Sequence, residues 1–361
     1  MQKRFKYFSH VALTLLLALC ASLLCVGLGT PLPWMIGPLL ATALATIFRQ
    51  PTQSAVPLRN AAQCTLGAAL GLYFTPAITA LVLSLWWAIA IGIVWSLLLG
   101  WAFGWWLHKL NAPHLPGLTR STTWFAGAIG GASEMTLLAE RVHARTDLVA
   151  ASHSMRLLLV TVLVPFGMQF SGLHGLDLLN TGAREVSVTG LAVLGVTTML
   201  GAWVMDRLGR ANPWFLGALL VSMGFAMAGV ELTAIPKPLS NAAQLLIGVS
   251  LGVRFTPAFV HTAPRWLATV AAGTGVMIAL CVGFGLLVAW ATNLHPATMV
   301  LATAPGGIAE MSITAKVLQL GAPVVTAFQV CRLMAVLLIV QPIHTCLYAG
   351  KDGGHPAVRE I

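Results

Sequence analysis

The sequence predicts an all-α integral membrane protein: two inverted repeats of about five transmembrane helices, each holding a re-entrant or broken Gly-Gly hairpin. Three observations predict this class. Of 361 residues, 58% are apolar and 8% charged, against about 25% charged in soluble domains. The second half of the chain repeats the first, block by block. One stretch occurs twice, as Ala128-Ile129-Gly130-Gly131-Ala132-Ser133-Glu134-Met135 and as Ala304-Pro305-Gly306-Gly307-Ile308-Ala309-Glu310-Met311.

Apolar segments fall at 11–29, 33–48, 58–74, 77–107, 119–140 and 147–170, and again at 185–206, 213–230, 238–255, 259–291, 298–318 and 322–347. A helix needs about 20 apolar residues to cross a bilayer. No polar stretch is long enough for a soluble domain, so residues 1–361 read as one membrane domain. The start, Lys3-Arg4-Phe5-Lys6 and an apolar run, has the look of a signal peptide. The run is long for a signal core and no Ala-x-Ala site closes it, so it is read as the first span. The net charge of +10 does not point to nucleic acid. The basic residues lie scattered at segment ends and form no base-reading arm. The six cysteines form no CxxC and read as small apolar packing residues.

The repeat is legible position by position. Pro33-Trp34-Met35-Ile36-Gly37 matches Pro213-Trp214-Phe215-Leu216-Gly217, and Asn60-Ala61-Ala62-Gln63 matches Asn241-Ala242-Ala243-Gln244. Leu70-Gly71-x-x-Phe74-Thr75-Pro76 matches Leu251-Gly252-x-x-Phe255-Thr256-Pro257. The offset stays between 176 and 181 residues. Repeat 1 covers roughly 8–172 and repeat 2 roughly 185–348.

If the Gly-Gly segment dips in and returns, each repeat crosses five times and the second copy is inverted. If it crosses, both copies share one orientation. Basic residues decide. With the N-terminus in the cytoplasm, the inverted arrangement puts Lys3, Arg4, Lys6, Arg49, Arg59, Lys109, Arg120, Arg141, Arg145, Arg207, Arg210, Arg254, Arg265, Lys351 and Arg359 inside. Only Arg184, Lys237 and Lys316 fall outside. The all-crossing alternative gives about eleven to seven. The inverted arrangement is preferred, with both termini cytoplasmic. Trp86-Trp87 with Trp105-Trp106, and Trp266 with Trp290, bracket the two long fourth segments as an interfacial belt would. Trp101 and Trp124 could equally pack between helices.

The site candidates follow from cost. A charge at membrane depth costs about 2.5–3.5 kcal/mol even on the lenient insertion scale and marks a functional site by default. Glu134 and Glu310 are such charges, each three residues past a glycine pair, Gly130-Gly131 and Gly306-Gly307. Glycine lets backbone leave the helix, and interrupted segments near the midplane are where inverted-repeat transporters bind substrate. Arg156 and Arg332 lie 22 residues after each glutamate. Their partner is either that glutamate, as a structural pair, or an anionic substrate. His153 and Gln329 sit one turn earlier on the same helix face. Asn60/Gln63 and Asn241/Gln244 either touch substrate or join helices. Gly67/Gly71 and Gly248/Gly252, four apart, suit close helix packing.

Ten histidines show no metal-ligand spacing, and no nucleophilic triad, phosphate loop or dinucleotide fingerprint occurs. No cofactor, metal or catalytic residue is expected.

The duplicated Pro-Trp-x-x-Gly, Asn-Ala-Ala-Gln, Leu-Gly-x-x-Phe-Thr-Pro and Gly-Gly-x-x-Glu-Met blocks resemble the bacterial AbrB-type membrane proteins, over nearly the whole chain. That family carries the labels transporter, transcriptional regulator and ammonia monooxygenase. It is distinct from the soluble DNA-binding regulator of the same name. The resemblance implies an internal duplication and assigns no site residues. A monooxygenase needs a metal or cofactor site, and a direct regulator needs a DNA-reading element; neither is visible. The expectation is a secondary transporter of a small solute, an anion among the candidates, across the bacterial inner membrane. Indirect effects on gene expression are compatible with it. The alternative is a membrane sensor without transport. The partners expected are the bilayer, the solute and a coupling ion, with homo-oligomerisation left open and no nucleic acid.

Overall fold

The computed structural model describes residues 2–172, 186–230, 232–256 and 264–348, with side chains from residue 6 onward. Arg184, Pro257, Lys351, Arg359 and the C-terminal tail, all used above, lie outside the described residues. Within them the chain is all-helical. The first half runs α1 (Gln2–Gly27), α2 (Pro33–Ile47), α3 (Val56–Gly71), α4 (Pro76–Ser84), α5 (Trp86–Asn111), α6 (Arg120–Gly127), α7 (Ala132–Arg141) and α8 (Thr146–Phe170). The second half runs α9 (Val188–Arg207), α10 (Pro213–Met227), α11 (Lys237–Gly252), α12 (Pro264–Thr292), α13 (Pro296–Thr303), α14 (Ile308–Val317) and α15 (Ala322–Tyr348).

Six helices are long and apolar enough to cross a membrane: α1, α5, α8, α9, α12 and α15. A seventh span is available if α3 and α4, bent by 88° to each other, count as one. Helices α2 and α10 are apolar but have only 15 residues, about 22 Å of helix. Large apolar side chains face outward along the long helices, among them Leu24, Leu98, Val196, Leu287 and Leu338. A surface of this kind suits lipid, not water.

Two expectations about span limits need correction. The segment at 77–107 is not one helix, because it breaks at Leu85 into α4 and α5. The tryptophans split too. Trp86, Trp105 and Trp290 are exposed as a belt requires, but Trp266 is fully buried and its indole N–H donates to the Leu148 carbonyl at 3.2 Å. Trp101 faces outward, whereas Trp124 is buried and donates to the Val340 carbonyl at 3.3 Å. The cysteines divide likewise: Cys64 and Cys281 are buried, while Cys20, Cys331 and Cys346 are exposed.

The glycine pairs explain the central packing. A Cβ on Gly67 would strike the Phe215 carbonyl, and one on Gly71 the Leu219 carbonyl and Ser222, so α3 lies backbone to backbone on α10. A Cβ on Gly248 would come 2.5 Å from the Met35 carbonyl, and one on Gly252 2.7 Å from the Leu39 carbonyl, so α11 lies in the same way on α2. Helix α3 also packs on α11, and α5 on α12. Small residues permit such approach where no hydrophobic force separates helix from lipid.

Helices α2 and α10 start alike, each with proline at the first turn after a left-handed residue, Leu32 (φ 48°) or Asn212 (φ 49°). Proline's fixed φ and missing N–H suit that position.

Candidate functional site

Each Gly-Gly stretch interrupts a helix. Helix α6 ends at Gly127 and α7 begins at Ala132, while α13 ends at Thr303 and α14 begins at Ile308. The pieces have 8, 10, 8 and 10 residues, about 12–15 Å each, which is half a hydrocarbon core or less.

The glycines are there for space. Gly131 (φ −67°) and Gly307 (φ −81°) have backbone angles that any residue adopts. A Cβ on Gly130 would come 2.9 Å from Met135 Cε, and one on Gly306 2.8 Å from Met311 Cγ. A Cβ on Gly131 or Gly307 would collide with the carboxylate of Glu134 or Glu310. So the spacing of Gly-Gly-x-x-Glu-Met is a packing rule: the first glycine seats the fully buried methionine and the second seats the glutamate. Each carboxylate lies in the first turn of its short helix, where the positive end of the dipole stabilises it.

The arginines complete the other half of the break. Arg156 donates to the carbonyls of Gly127 (3.2 Å) and Ala128 (2.8 Å), which end α6. Arg332 donates to the carbonyls of Ala304 and Gly306, both at 2.6 Å. Terminal carbonyls lack intrahelical partners, and a cation there also meets the negative dipole end. The structural Glu–Arg pair considered above is not formed. Among the described residues the one ion pair is Arg145–Asp147, at 2.7 Å. Backbone carbonyls neutralise the guanidiniums instead.

His153 and Gln329 do the same work in the two halves. His153 Nδ1 lies 2.7 Å from Arg156 and Nε2 lies 2.9 Å from the Phe125 carbonyl. A guanidinium only donates and a carbonyl only accepts, so the ring is the neutral Nε2–H tautomer. Gln329 accepts from Arg332 at 2.6 Å through Oε1 and donates to the Leu301 carbonyl at 3.0 Å.

Both breaks reach one cavity of about 520 Å³. Gly130, Gly131, Glu134, Gly306, Gly307, Glu310 and Arg332 line it, together with Asn60 and Gln63. Arg156, His153 and Gln329 stand behind the breaks and do not line it. Asn241 and Gln244 do not line it either, and Gln244 is buried. Gln63 donates to the Asn212 side chain across the wall at 3.1 Å. Exposed Ser133 and Asp206 on the lining show that the cavity opens to the surface.

Two wall residues escaped the sequence reading, Arg59 on α3 and Arg254 just past α11. At a helix end, an arginine facing a cavity and one facing a loop look alike in sequence. The available signal was a mismatch between copies: Arg59 stands opposite Ser240 in the repeat register, and Arg254 opposite Tyr73. Arg254 lies within electrostatic reach of Arg59, Glu310 and Glu134.

Known proteins resemble this chain over most of its length. Residues 34–348 match the family described as "Transition state regulatory protein AbrB". The chain is 26% identical over 348 residues to "Uncharacterized protein YhjN" of Bacillus subtilis (strain 168), covering 89% of this chain and 88% of that one. It is 26% identical over 330 residues to "Putative regulator AbrB" of Escherichia coli (strain K12), covering 89% of this chain and 92% of the relative. The family match spans most of the sequence, including both Gly-Gly-x-x-Glu-Met motifs and both arginines behind them, and the chain belongs to the AbrB family.

Proposed function

We propose that this protein is a secondary transporter that carries a small solute across the bacterial inner membrane, using the cavity between the two broken helices as its binding site. One observation carries the reading. Breaks that lie about 175 residues apart in sequence reach the same cavity, each with a glutamate and opened backbone. Irregular backbone at membrane depth is tolerated only against protein or a water-filled cavity, and paired interrupted helices at a midplane site are a transporter architecture.

In this reading α1, α2, α3, α5 and α8 are the crossings of one repeat, α9, α10, α11, α12 and α15 those of the other, and the broken segments are re-entrant. The swapped packing of α3 on α10 and α11 on α2 supports two copies related by a pseudo-two-fold axis; the inversion rests on the count of basic residues. The cavity then opens to the cytoplasm, since Arg59 and Arg254 on its wall belong to the cytoplasmic side of the count. The carrier needs no cofactor and makes no covalent bond. A sensor without transport is the second reading, favoured by the word "regulator" in the name of the Escherichia coli relative.

Proteoliposomes decide between them. Uptake or counterflow of a solute that also stabilises the purified protein is expected; stabilisation without movement would favour the sensor. An impermeant thiol reagent on a single-cysteine variant at His143 should label from the cytoplasmic side. Labelling from outside would return the all-crossing arrangement.

A further inference from the structure

The duplicated charges of the site are largely spent on the fold. Arg156 is committed to Gly127, Ala128 and His153, and the Nη atoms of Arg332 to Ala304, Gly306 and Gln329. Glu134 and Glu310 fold back over Gly131 and Gly307. A selective carrier needs polar groups that remain uncommitted, and the cavity wall holds several. Arg332 is only 7% exposed, and its Nε, though without a hydrogen-bond partner, is closed off from the cavity. Arg59 Nε and Asn60 Oδ1 are buried without partners as well. The uncommitted groups are the guanidiniums of Arg59 and Arg254, which line the cavity and form no ion pair among the described residues.

A guanidinium presents its donors as a planar fork that matches a carboxylate. Both arginines also stand where the repeat carries other residues. Arg59 faces Ser240 in the register, which is buried, and Arg254 faces Tyr73, which lies under Lys316 with the ammonium 5.7 Å from the ring. Duplication therefore supplied the broken helices, and single-copy changes supplied the guanidiniums at one mouth.

We infer that Arg59 and Arg254 bind the carboxylate of a small organic acid in this cavity and are its specificity-determining residues. Glu134 and Glu310, which line the same cavity, hold the compensating positive charge that enters with it. This inference rests on the cavity being the transporter's binding site, but it is tested by binding alone.

The test uses the full chain, purified in detergent, with isothermal titration and thermal shift against succinate, malate and citrate. Glycerol and putrescine serve as neutral and cationic comparators. At least one carboxylate should bind and raise the melting temperature. Arg59→Gln and Arg254→Gln should each weaken it by about tenfold or more, with the unliganded melting temperature unchanged. Arg254→Lys should recover part of the loss, and Ser240→Ala and Tyr73→Phe should bind as the parent does. The inference is overturned if Arg254→Gln binds as the parent does, if only a comparator binds, or if none of the three acids binds. An Arg254-dependent ligand that proteoliposomes do not move would remove the transporter and leave this assignment standing.

Discussion

The two broken segments and the two walls that flank them repeat each other, yet the walls differ at Arg59 and Arg254 while both segments keep Gly-Gly-x-x-Glu-Met and the arginine behind it. At the breaks, each arginine holds carbonyls, each Gln or His holds the arginine, and each glutamate folds over its glycine. At the walls, Arg59 and Arg254 line an open cavity while Ser240 and Gln244 are buried. Gln63 reaches Asn212, whereas the residue matching Asn212 is Leu32, 1% exposed. The glutamates themselves differ, with Glu310 buried and Glu134 only partly so. The parts that keep backbone satisfied inside a membrane tolerate little drift, while the rest of the cavity wall carries the single-copy residues.

The largest effect should come from removing a shared part. Arg332→Leu leaves the Gly306 carbonyl without its donor, leaves Gln329 alone on the Ala304 carbonyl, and strands Gln329 Oε1. Breaking a buried charged network in this way costs about 3–5 kcal/mol. Thermal unfolding in detergent should show the loss directly. The comparison sharpens in the double variant. Because Arg332 binds carbonyls and not Glu310, Glu310→Gln should fail to restore stability, and the two changes should add within about 0.5 kcal/mol. A clear rescue would mean that the pair interacts after all.

Next come the carboxylates. Glu310→Gln keeps the shape of the turn over Gly307, so the protein should fold and insert while uptake into vesicles falls at least about tenfold. Glu134→Gln should lose less, because that residue sits in the more open half. Equal uptake by the parent and both variants, at matched protein quantity, would make the carboxylates purely structural.

What the sequence conveyed follows from this contrast. Glycine pairs, tip glutamates and membrane arginines are identical in both copies, so the repeat exposes them. The helix breaks occur where Gly-Gly placed them, and the small-residue faces pack as their spacing required. The partner of each arginine stayed hidden because backbone carbonyls carry no sequence signature; a glutamate 22 residues away was the visible candidate. Arg59 and Arg254 read as ordinary loop-side charges because a single-copy residue has no echo. Leu85 gave no warning either, since the helices it separates are equally apolar on both sides.

One-sided opening predicts a smaller, graded difference. In a cysteine-free background, Gln63→Cys should react readily with a small thiol reagent. Gln244→Cys, at the matching position, should react roughly tenfold more slowly, as burial of a thiol demands. If the protein alternates between two forms, a bound carboxylate should change that ratio, because a ligand shifts an equilibrium only through its differential affinity for the two states. Equal rates without ligand would remove the asymmetry on which the comparison depends.

The smallest effect should be His153→Gln. The imidazole offers Arg156 one acceptor and offers the Phe125 carbonyl one donor. Gln329 offers Arg332 and the Leu301 carbonyl the same two groups, three residues before its own arginine. A glutamine at position 153 therefore preserves every bond in kind, and its stability should match the parent within about 1 kcal/mol. His153→Leu fills the space but leaves Arg156 and the carbonyl unserved, and should cost about 1–3 kcal/mol. The pair of variants separates packing from hydrogen bonding at one position. If glutamine proves as damaging as leucine, the two breaks are not held in the same way, and the likeness on which the comparison starts would be confined to the glycines and glutamates.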